Sequence, residues 1–317
     1  MTAWRLLALV MVTSSLVPSP ARGVQQPPAA KFKSSVDVVS VTTVVRDQRG
    51  RFVRDLSQKD FVVSEAGRAR QILDFRAESD GPVKLGLLID ASGSMRVGRK
   101  AVDALQAARH ILSSLRQNDE AALFSFDTKL DRVRAFTSDI ASLDASLATL
   151  NIPYGQTSLH DVITEAAEVV GTHGRSGGRL AHRSALVVIT DGIDTSSLRT
   201  TEQVAVAASA IDIPVYVVAM MSPIDDPKVD ERPPFDAAGL TQLARRTGGE
   251  MFTASAPAHA STAARQIVEE LRHQYVLAFE ASAQSGWRSL EVRGRDPKWI
   301  IRARTGYSAG ASGRTTQ

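Results

Sequence analysis

The stretch LLIDASGSM places Asp90, Ser92 and Ser94 at alternate positions, directly after a short apolar run. A carboxylate and two hydroxyls at that spacing, on a turn that follows a buried strand, direct their oxygens toward one point. Such a set suits a hard divalent cation, because Mg²⁺ takes oxygen ligands in a near-octahedron and keeps some of its waters. Two further oxygens come from segments of the same kind. Thr157 lies in YGQTSLHD, a loop leading into a helix, and Asp191 lies in VVITDG, at the end of the strongest strand in the chain. In open α/β sheets, ligands bind outside the carboxyl ends of the strands. Neighbouring parallel strands bring those ends together, so the three loops can converge. Taken alone, Asp90, Ser92 and Ser94 also fit an Asx-turn that caps a helix. Thr157 and the TDG turn add further oxygens that could join the same point, and Asp90 is expected on a surface loop.

The elements that must position these residues follow from hydrophobic periodicity. Strands are expected near residues 84–89, 121–126, 185–190 and 214–219, with LDRVRAF as an edge strand and GEMFTA as a short one. Between them, KAVDALQAARHILSSL carries Val102, Leu105, Ala108, Ile111, Leu112 and Leu115 at helical spacing. IASLDASLATL, SLHDVITEAAEVV and STAARQIVEELRH also read as helices. TTEQVAVAASAI does so with Thr200 or Thr201 as its N-cap, and FDAAGLTQLARRTG is closed by Gly248. Strands and helices alternate, and the strands are nearly continuously apolar. That predicts an α/β fold over residues 82–273, with a mostly parallel central sheet flanked by helices on both faces.

Both flanks of that region read as β. Residues 32–81 hold VDVVSVTTVVRD, a turn at QRGR, and two short strands around Gly67. A segment this short is marginal as an independent domain. Residues 274–308 hold YVLAFEAS, RSLEVRG and WIIRARTGY, separated by turns. The expectation is one small β subdomain built from both flanks. Residues 309–317, rich in Gly, Ser and Thr, read as a disordered tail.

Residues 1–23 read as a signal peptide: Arg5, an apolar run from Leu6 to Leu16, the breakers Pro18 and Pro20, then Ala21 and Gly23 before a cut at Val24. The alternative is an uncleaved anchor, although a run this short spans poorly where about 20 residues are needed. Residues 24–31 form a linker. No later stretch approaches the length of a membrane span, so the mature chain is expected to be secreted or periplasmic, without stable membrane insertion.

Composition excludes several function classes. The chain has 317 residues and no cysteine, which excludes a disulfide framework, a Cys-ligated zinc, an iron–sulfur cluster and a thiol nucleophile. A net charge of +4, evenly spread, does not argue for nucleic acid. There is no Gly-x-Ser-x-Gly elbow and no His-Glu-x-x-His, and the histidines lack ligand spacing. His160, close after Thr157, reads as a packing or capping residue. A Ser92–His160–Asp90 arrangement would consume the metal ligands. GTHGRSGGR lacks the Lys-Ser/Thr of a phosphate loop and reads as a flexible connection. Arg96, Arg99 and Lys100 read as a solvated helix start or, functionally, as a basic rim for an acidic partner. Asp194 reads as a loop cap rather than a group behind the metal.

With Gly155 before Thr157 and Gly192 after Asp191, residues 82–273 resemble a von Willebrand factor A-type domain with a metal-ion-dependent adhesion site. That family's site is Asp-x-Ser-x-Ser, a Thr from a second loop and an Asp from a third. Asp90, Ser92, Ser94, Thr157 and Asp191 match it throughout. The flanks resemble a bacterial exported family related to it, through VTTVVRDQRGRFVRDLSQKDFVVSEAG in front and the closing Arg-x-Gly-Tyr at Arg304 to Tyr307. The resemblance implies a bound Mg²⁺ (or Mn²⁺ or Ca²⁺) with an open position for an Asp or Glu of a protein partner. It implies an adhesion or scaffold module in the bacterial envelope rather than an enzyme. A metal-dependent hydrolase and a structural subunit of an envelope assembly remain as alternatives.

Overall fold

The computed structural model describes residues 38–78, 81–152, 155–176, 179–180, 183–222, 236–282 and 284–309. The expected signal peptide (1–23), the linker (24–31) and all of the expected tail except Ala309 lie outside the described residues. In chain order, the first strands are β1 (Val38–Arg46), β2 (Phe61–Glu65), β3 (Arg68–Arg70) and β4 (Ile72–Glu78). Then follow β5 (Lys84–Asp90), α1 (Lys100–Ser113), β6 (Glu120–Phe126), β7 (Leu130–Thr137), α2 (Ile140–Ala148) and α3 (Leu159–His173). A minimal pair, β8 (Arg175–Ser176) and β9 (Arg179–Leu180), precedes β10 (Ser184–Thr190), α4 (Thr201–Ile211), β11 (Val215–Met220), α5 (Ala237–Thr247), β12 (Met251–Ala254) and α6 (Pro257–Arg272). The last strands are β13 (Gln274–Glu280), β14 (Gly286–Gly294), β15 (Ile300–Ala303) and β16 (Gly306–Ala309).

The central sheet has the order β12-β11-β10-β5-β6-β7, parallel except for β7 at one edge. Its inner strands are apolar at nearly every position because helices cover both faces. Leu85, Leu87 and Ile89 of β5 face a core shared with α1, α2 and α6. Leu88 faces the opposite core, with Phe124, Val188 and residues of α3, α4 and α5. Gly86 permits α3 to sit close, since a Cβ there would lie 2.5 Å from Val170. The charged edge strand β7 discourages further pairing. From β5 the chain builds outward to β6 and β7, then returns to the other side of β5 as β10. The carboxyl ends of β5 and β10 therefore flank the point where the strand order reverses, the place where such sheets bind ligands.

Helix ends follow local chemistry. Thr200, not Thr201, caps α4: its Oγ1 accepts from the Gln203 N–H at 3.3 Å, and Gln203 Oε1 accepts from the Thr200 N–H at 2.9 Å. Gly248 closes α5 with φ 89°. In α1, Val102 is 55% exposed, whereas the periodicity counts it on the apolar face.

The two flanks interleave strand by strand. β1 pairs antiparallel with β13 from Val38↔Glu280 to Val44↔Gln274, and a four-stranded sheet runs β15-β1-β13-β4. A second sheet runs β16-β14-β2-β3. Val41, Val45, Phe61, Val63, Leu277, Phe279, Leu290 and Tyr307 form their common core. The expected two strands around Gly67 are three. β3 pairs with β2, but the chain changes sheets at Gln71 and β4 pairs with β13. The closing motif fastens this assembly. Tyr307 donates its hydroxyl to the buried carboxylate of Glu65. Arg304 donates to the carbonyls of Ser40 at 2.5 Å and Ser209 at 2.8 Å, joining β1 to α4. Among the described residues, no helix is long and apolar enough to cross a membrane.

Candidate metal centre

Asp90 ends β5 and is 0% exposed, so it is not the surface-loop residue that its position suggests. Its Oδ1 accepts from the Ser92 N–H at 2.9 Å, and its Oδ2 accepts from the Thr190 hydroxyl at 2.5 Å. The Asx-turn is thus present, and it orients the carboxylate. Ser92 Oγ lies 3.0 Å from Ser94 Oγ, and Ser94 donates to Asp191 Oδ1 at 3.2 Å. The other oxygen of Asp191 is 2.9 Å from Lys100 Nζ, with both side chains only 1% exposed.

The second loop is stitched to the other two through its backbone. The Gly155 carbonyl accepts from the Gly93 N–H at 3.2 Å. The buried Thr157 accepts at its carbonyl from the N–H groups of Thr195 and Ser196 at 2.9 and 3.0 Å, and its own N–H donates to Thr195 Oγ1 at 2.9 Å. Asp90, Ser92, Ser94 and Asp191 therefore form one hydrogen-bonded chain. Thr157 joins it on a loop bonded to both of the loops that carry them.

Burial pushes the Asp90 carboxyl up to about 7, and the Asp191 carboxylate pushes it the same way, against hydrogen bonds from Ser92 and Thr190. Among the described residues, two carboxylates are buried close together here, an arrangement that a cation between them would stabilise. The donor set is all oxygen, which fits a hard divalent ion and offers nothing to a soft one. Among the described residues, no group of three or more His, Cys, Asp or Glu could hold a metal. A site here depends on its hydroxyls.

One neighbour, Lys100, differs from its sequence reading. Lys100 is neither a solvated helix start nor part of a rim: it points inward, on the same buried face of α1 as Ala104, Ala107, Ala108 and Ile111. That spacing is visible in the sequence, but a lysine is not counted as a core residue. Arg96 and Arg99 are exposed, with Arg96 donating to the Ile152 carbonyl at 2.8 Å and Arg99 lying 3.5 Å from Asp103. Asp194 caps its loop, accepting from the N–H groups of Ser196 and Ser197 at 3.2 and 3.0 Å, and also lies 2.7 Å from His160 Nδ1. Burial works to raise its carboxyl, yet His160 and Ser197 hold it well below the usual carboxylate range. His160 Nε2 is 3.1 Å from Thr201 Oγ1, so both ring nitrogens are engaged away from Ser92 and Asp90. Thr190 and Thr195, which orient the loops, carry no motif signal of their own.

Residues 85–193 match the family model of the von Willebrand factor type A domain, a span that runs from before Asp90 to beyond Asp191. The chain contains a von Willebrand factor type A domain. Solved structures are similar to parts of this chain. Proximal thread matrix protein 1 from the mussel byssus, in a form with a zinc-occupied metal-ion-dependent adhesion motif, is 13% identical with a TM-score of 0.50. That match covers 62% of this chain and 50% of the mussel chain. The conserved hypothetical protein BatB from Bacteroides thetaiotaomicron is 18% identical over 60% of this chain and 98% of its own, with a TM-score of 0.49. The von Willebrand factor type A protein from Catenulispora acidiphila is 13% identical over 87% and 74%, with a TM-score of 0.48. No curated protein matches the sequence.

Proposed function

We propose that this chain is an exported, divalent-metal-dependent protein-binding module, an adhesion or scaffold protein of the bacterial envelope. In this reading residues 1–23 are removed on export, and residues 82–273 form the von Willebrand factor type A domain between the two β flanks. Asp90, Ser92, Ser94, Thr157 and Asp191 hold Mg²⁺, or Mn²⁺ or Ca²⁺ in its place. The observation that carries it is the chain of hydrogen bonds from Asp90 and Ser92 through Ser94 to Asp191, buried where the strand order reverses. A bound ion supplies an open coordination position that an Asp or Glu of a partner protein completes. The neutral hydroxyls of Ser92, Ser94 and Thr157 leave the ion's charge largely available to that carboxylate, and a charge-assisted contact can anchor an otherwise ordinary interface. The mussel protein, which carries zinc at its own metal-ion-dependent adhesion motif, supports metal occupancy on this fold.

Binding is favoured over hydrolysis by the engagement of the nearby ionisable groups. Lys100 sits on Asp191, and His160 is held between Asp194 and Thr201. Among the described contacts His160 makes none to the five ligand residues, so it is not placed at the ion to take a proton from its water.

The test is a pull-down from an envelope extract with three arms: wild type in Mg²⁺, wild type in EDTA, and Asp90→Ala in Mg²⁺. A protein retained in the first arm and lost in the other two supports the proposal. Equal retention in EDTA contradicts it, and Mg²⁺-dependent hydrolysis across a broad ester and phosphoester screen would favour the enzyme.

A further inference from the structure

A cavity of about 600 Å³ lies on the seam between the α/β domain and the sheet that holds β1 and β15. That volume falls within the range of about 300–1,000 Å³ in which small-molecule sites are found. The cavity borders Glu250 and Met251 at the amino end of β12, and none of its lining residues belongs to the metal centre. One wall is a patch of sheet. Val44 pairs with Arg302, and Arg46 with Ile300, across β1 and β15. Positions two apart on a strand share a face, so these four side chains form one surface. A second wall comes from α5, where Thr241 and Arg245 lie one turn apart on the same side of the helix.

The charges of this seam do not balance. Buried Glu270 pairs with both Arg46 and Arg302, and Glu250 pairs with Arg302. Arg302 also donates from Nε to the Gly248 carbonyl at 3.3 Å. Both carboxylates are thus committed to those two arginines, and Arg245 is left over. Among the described residues, no hydrogen bond or ion pair holds its guanidinium. The Thr241 hydroxyl donates only to the sulfur of Met251, at 3.6 Å, a weak acceptor. A free guanidinium and an underused hydroxyl therefore border the same space, beside apolar surface from Val44, Met251 and the exposed Ile300.

We propose that this cavity is a binding site for a small organic carboxylate, its anionic head held by the Arg245 guanidinium and the Thr241 hydroxyl and its apolar body laid against Val44, Met251 and Ile300. A guanidinium presents a planar fork of donors that matches the two oxygens of a carboxylate, and such charge-assisted bonds are stronger than neutral ones. A single negative charge cancels the one positive charge that Glu250 and Glu270 leave unmatched. An amide of the same shape brings no charge, and an amine is repelled. The apolar body separates the ligand from a simple anion such as acetate, which would gain the head contacts alone.

The probes are hexanoate, hexanamide and acetate, titrated calorimetrically into the full chain at constant ionic strength, with EDTA present so that the outcome is independent of the metal centre. Hexanoate should bind saturably to wild type. Hexanamide should bind at least about tenfold more weakly, the scale of one charge-assisted hydrogen bond. Acetate should also bind at least about tenfold more weakly, since each buried methylene contributes. Arg245 is exposed, so Arg245→Met should keep the native circular dichroism and melt. It should lose at least about tenfold in hexanoate affinity and no longer distinguish the acid from the amide. Ile300→Ala should shrink the preference for hexanoate over acetate while sparing acetate. Hexanoate binding that Arg245→Met leaves unchanged, or equal affinity of wild type for hexanoate and hexanamide, would overturn the proposal. Absence of saturable hexanoate binding to wild type would overturn it as well.

Discussion

The hydroxyl of Thr190 donates to Oδ2 of Asp90 over 2.5 Å, across the boundary between β10 and β5 where the strand order of the sheet reverses. The same Thr190 oxygen accepts from the N–H of Gly192 at 2.9 Å, and so shapes the turn that carries Asp191. One hydroxyl thus fixes the orientation of one aspartate and the backbone beneath the other.

Thr190→Val removes that donor and acceptor while keeping the side-chain volume. Two buried groups lose a partner, so the metal-free protein should be destabilised by about 2 kcal/mol, read as a lower urea midpoint at unchanged m-value. Thr190→Ser keeps the hydroxyl and should cost less than about 1 kcal/mol, the range of a lost methyl group. Equal midpoints for the Val and Ser variants would show that the bond does not matter.

Away from the metal centre, Asp119 gives the fold a defined pH dependence. Its Oδ1 accepts from the Val83 N–H at 2.8 Å, just before β5, and its Oδ2 accepts from the Arg116 N–H at 2.7 Å and from Arg272 at 2.5 Å, the last residue of α6. Burial works to raise its carboxyl, but Arg272 and the two N–H groups hold it below its ordinary value of 3.8. A carboxyl lowered on folding stabilises above its unfolded pKa and loses that contribution as pH falls through the folded one. Asp119→Asn should therefore cost about 3 kcal/mol at pH 7, the scale for breaking a buried ion pair. The gap from wild type should narrow as pH falls below about 4, the ordinary aspartate value. Urea unfolding of both proteins from pH 7 downward reads this, and a gap constant with pH would contradict it.

Removing residues 274–317 takes β13 and β15 from either side of β1 and β14 from beside β2. β1 would then have no strand neighbour, and residues 38–78 should become rapidly cleaved under limited proteolysis. A milder probe is Tyr307→Phe, which takes a hydrogen bond from the buried Glu65 and should cost about 1–3 kcal/mol. Protection of residues 38–78 in the truncated chain would refute a β subdomain shared between the flanks.

Much of the positioning framework is legible in the sequence, for reasons visible at particular residues. The strand near 185–190 is apolar at nearly every position because β10 is covered on both faces, and the spacing of Asp90, Ser92 and Ser94 survives as a turn. Other features leave no periodic mark. RARQILDF reads as one strand because nothing in its alternation records that β3 and β4 join different sheets. The helix read from STAARQIVEELRH begins earlier, at Pro257, where a proline at the first helical position loses nothing. The burial of Lys100, read as part of a solvated helix start or rim, escapes notice for a different reason. Hydrophobic counting treats a lysine as a surface residue, and its burial depends on Asp191, far along the chain, which only the folded sheet brings to it.

The central claim is that Asp90, Ser92, Ser94, Thr157 and Asp191 together hold one divalent ion, and calorimetric titration of Mn²⁺ into wild type, Thr157→Ala and Asp90→Ala tests it most directly. Because Asp90 is buried, each variant is first checked for native circular dichroism and a cooperative melt. Thr157→Ala should weaken the ion only modestly, since water can replace a neutral hydroxyl. Asp90→Ala removes a charged ligand and should weaken it by about 100-fold or more, at or beyond the loss seen when a supporting group is mutated. A folded Asp90→Ala that binds Mn²⁺ with wild-type affinity would show that the ion, if held at all, is held somewhere else.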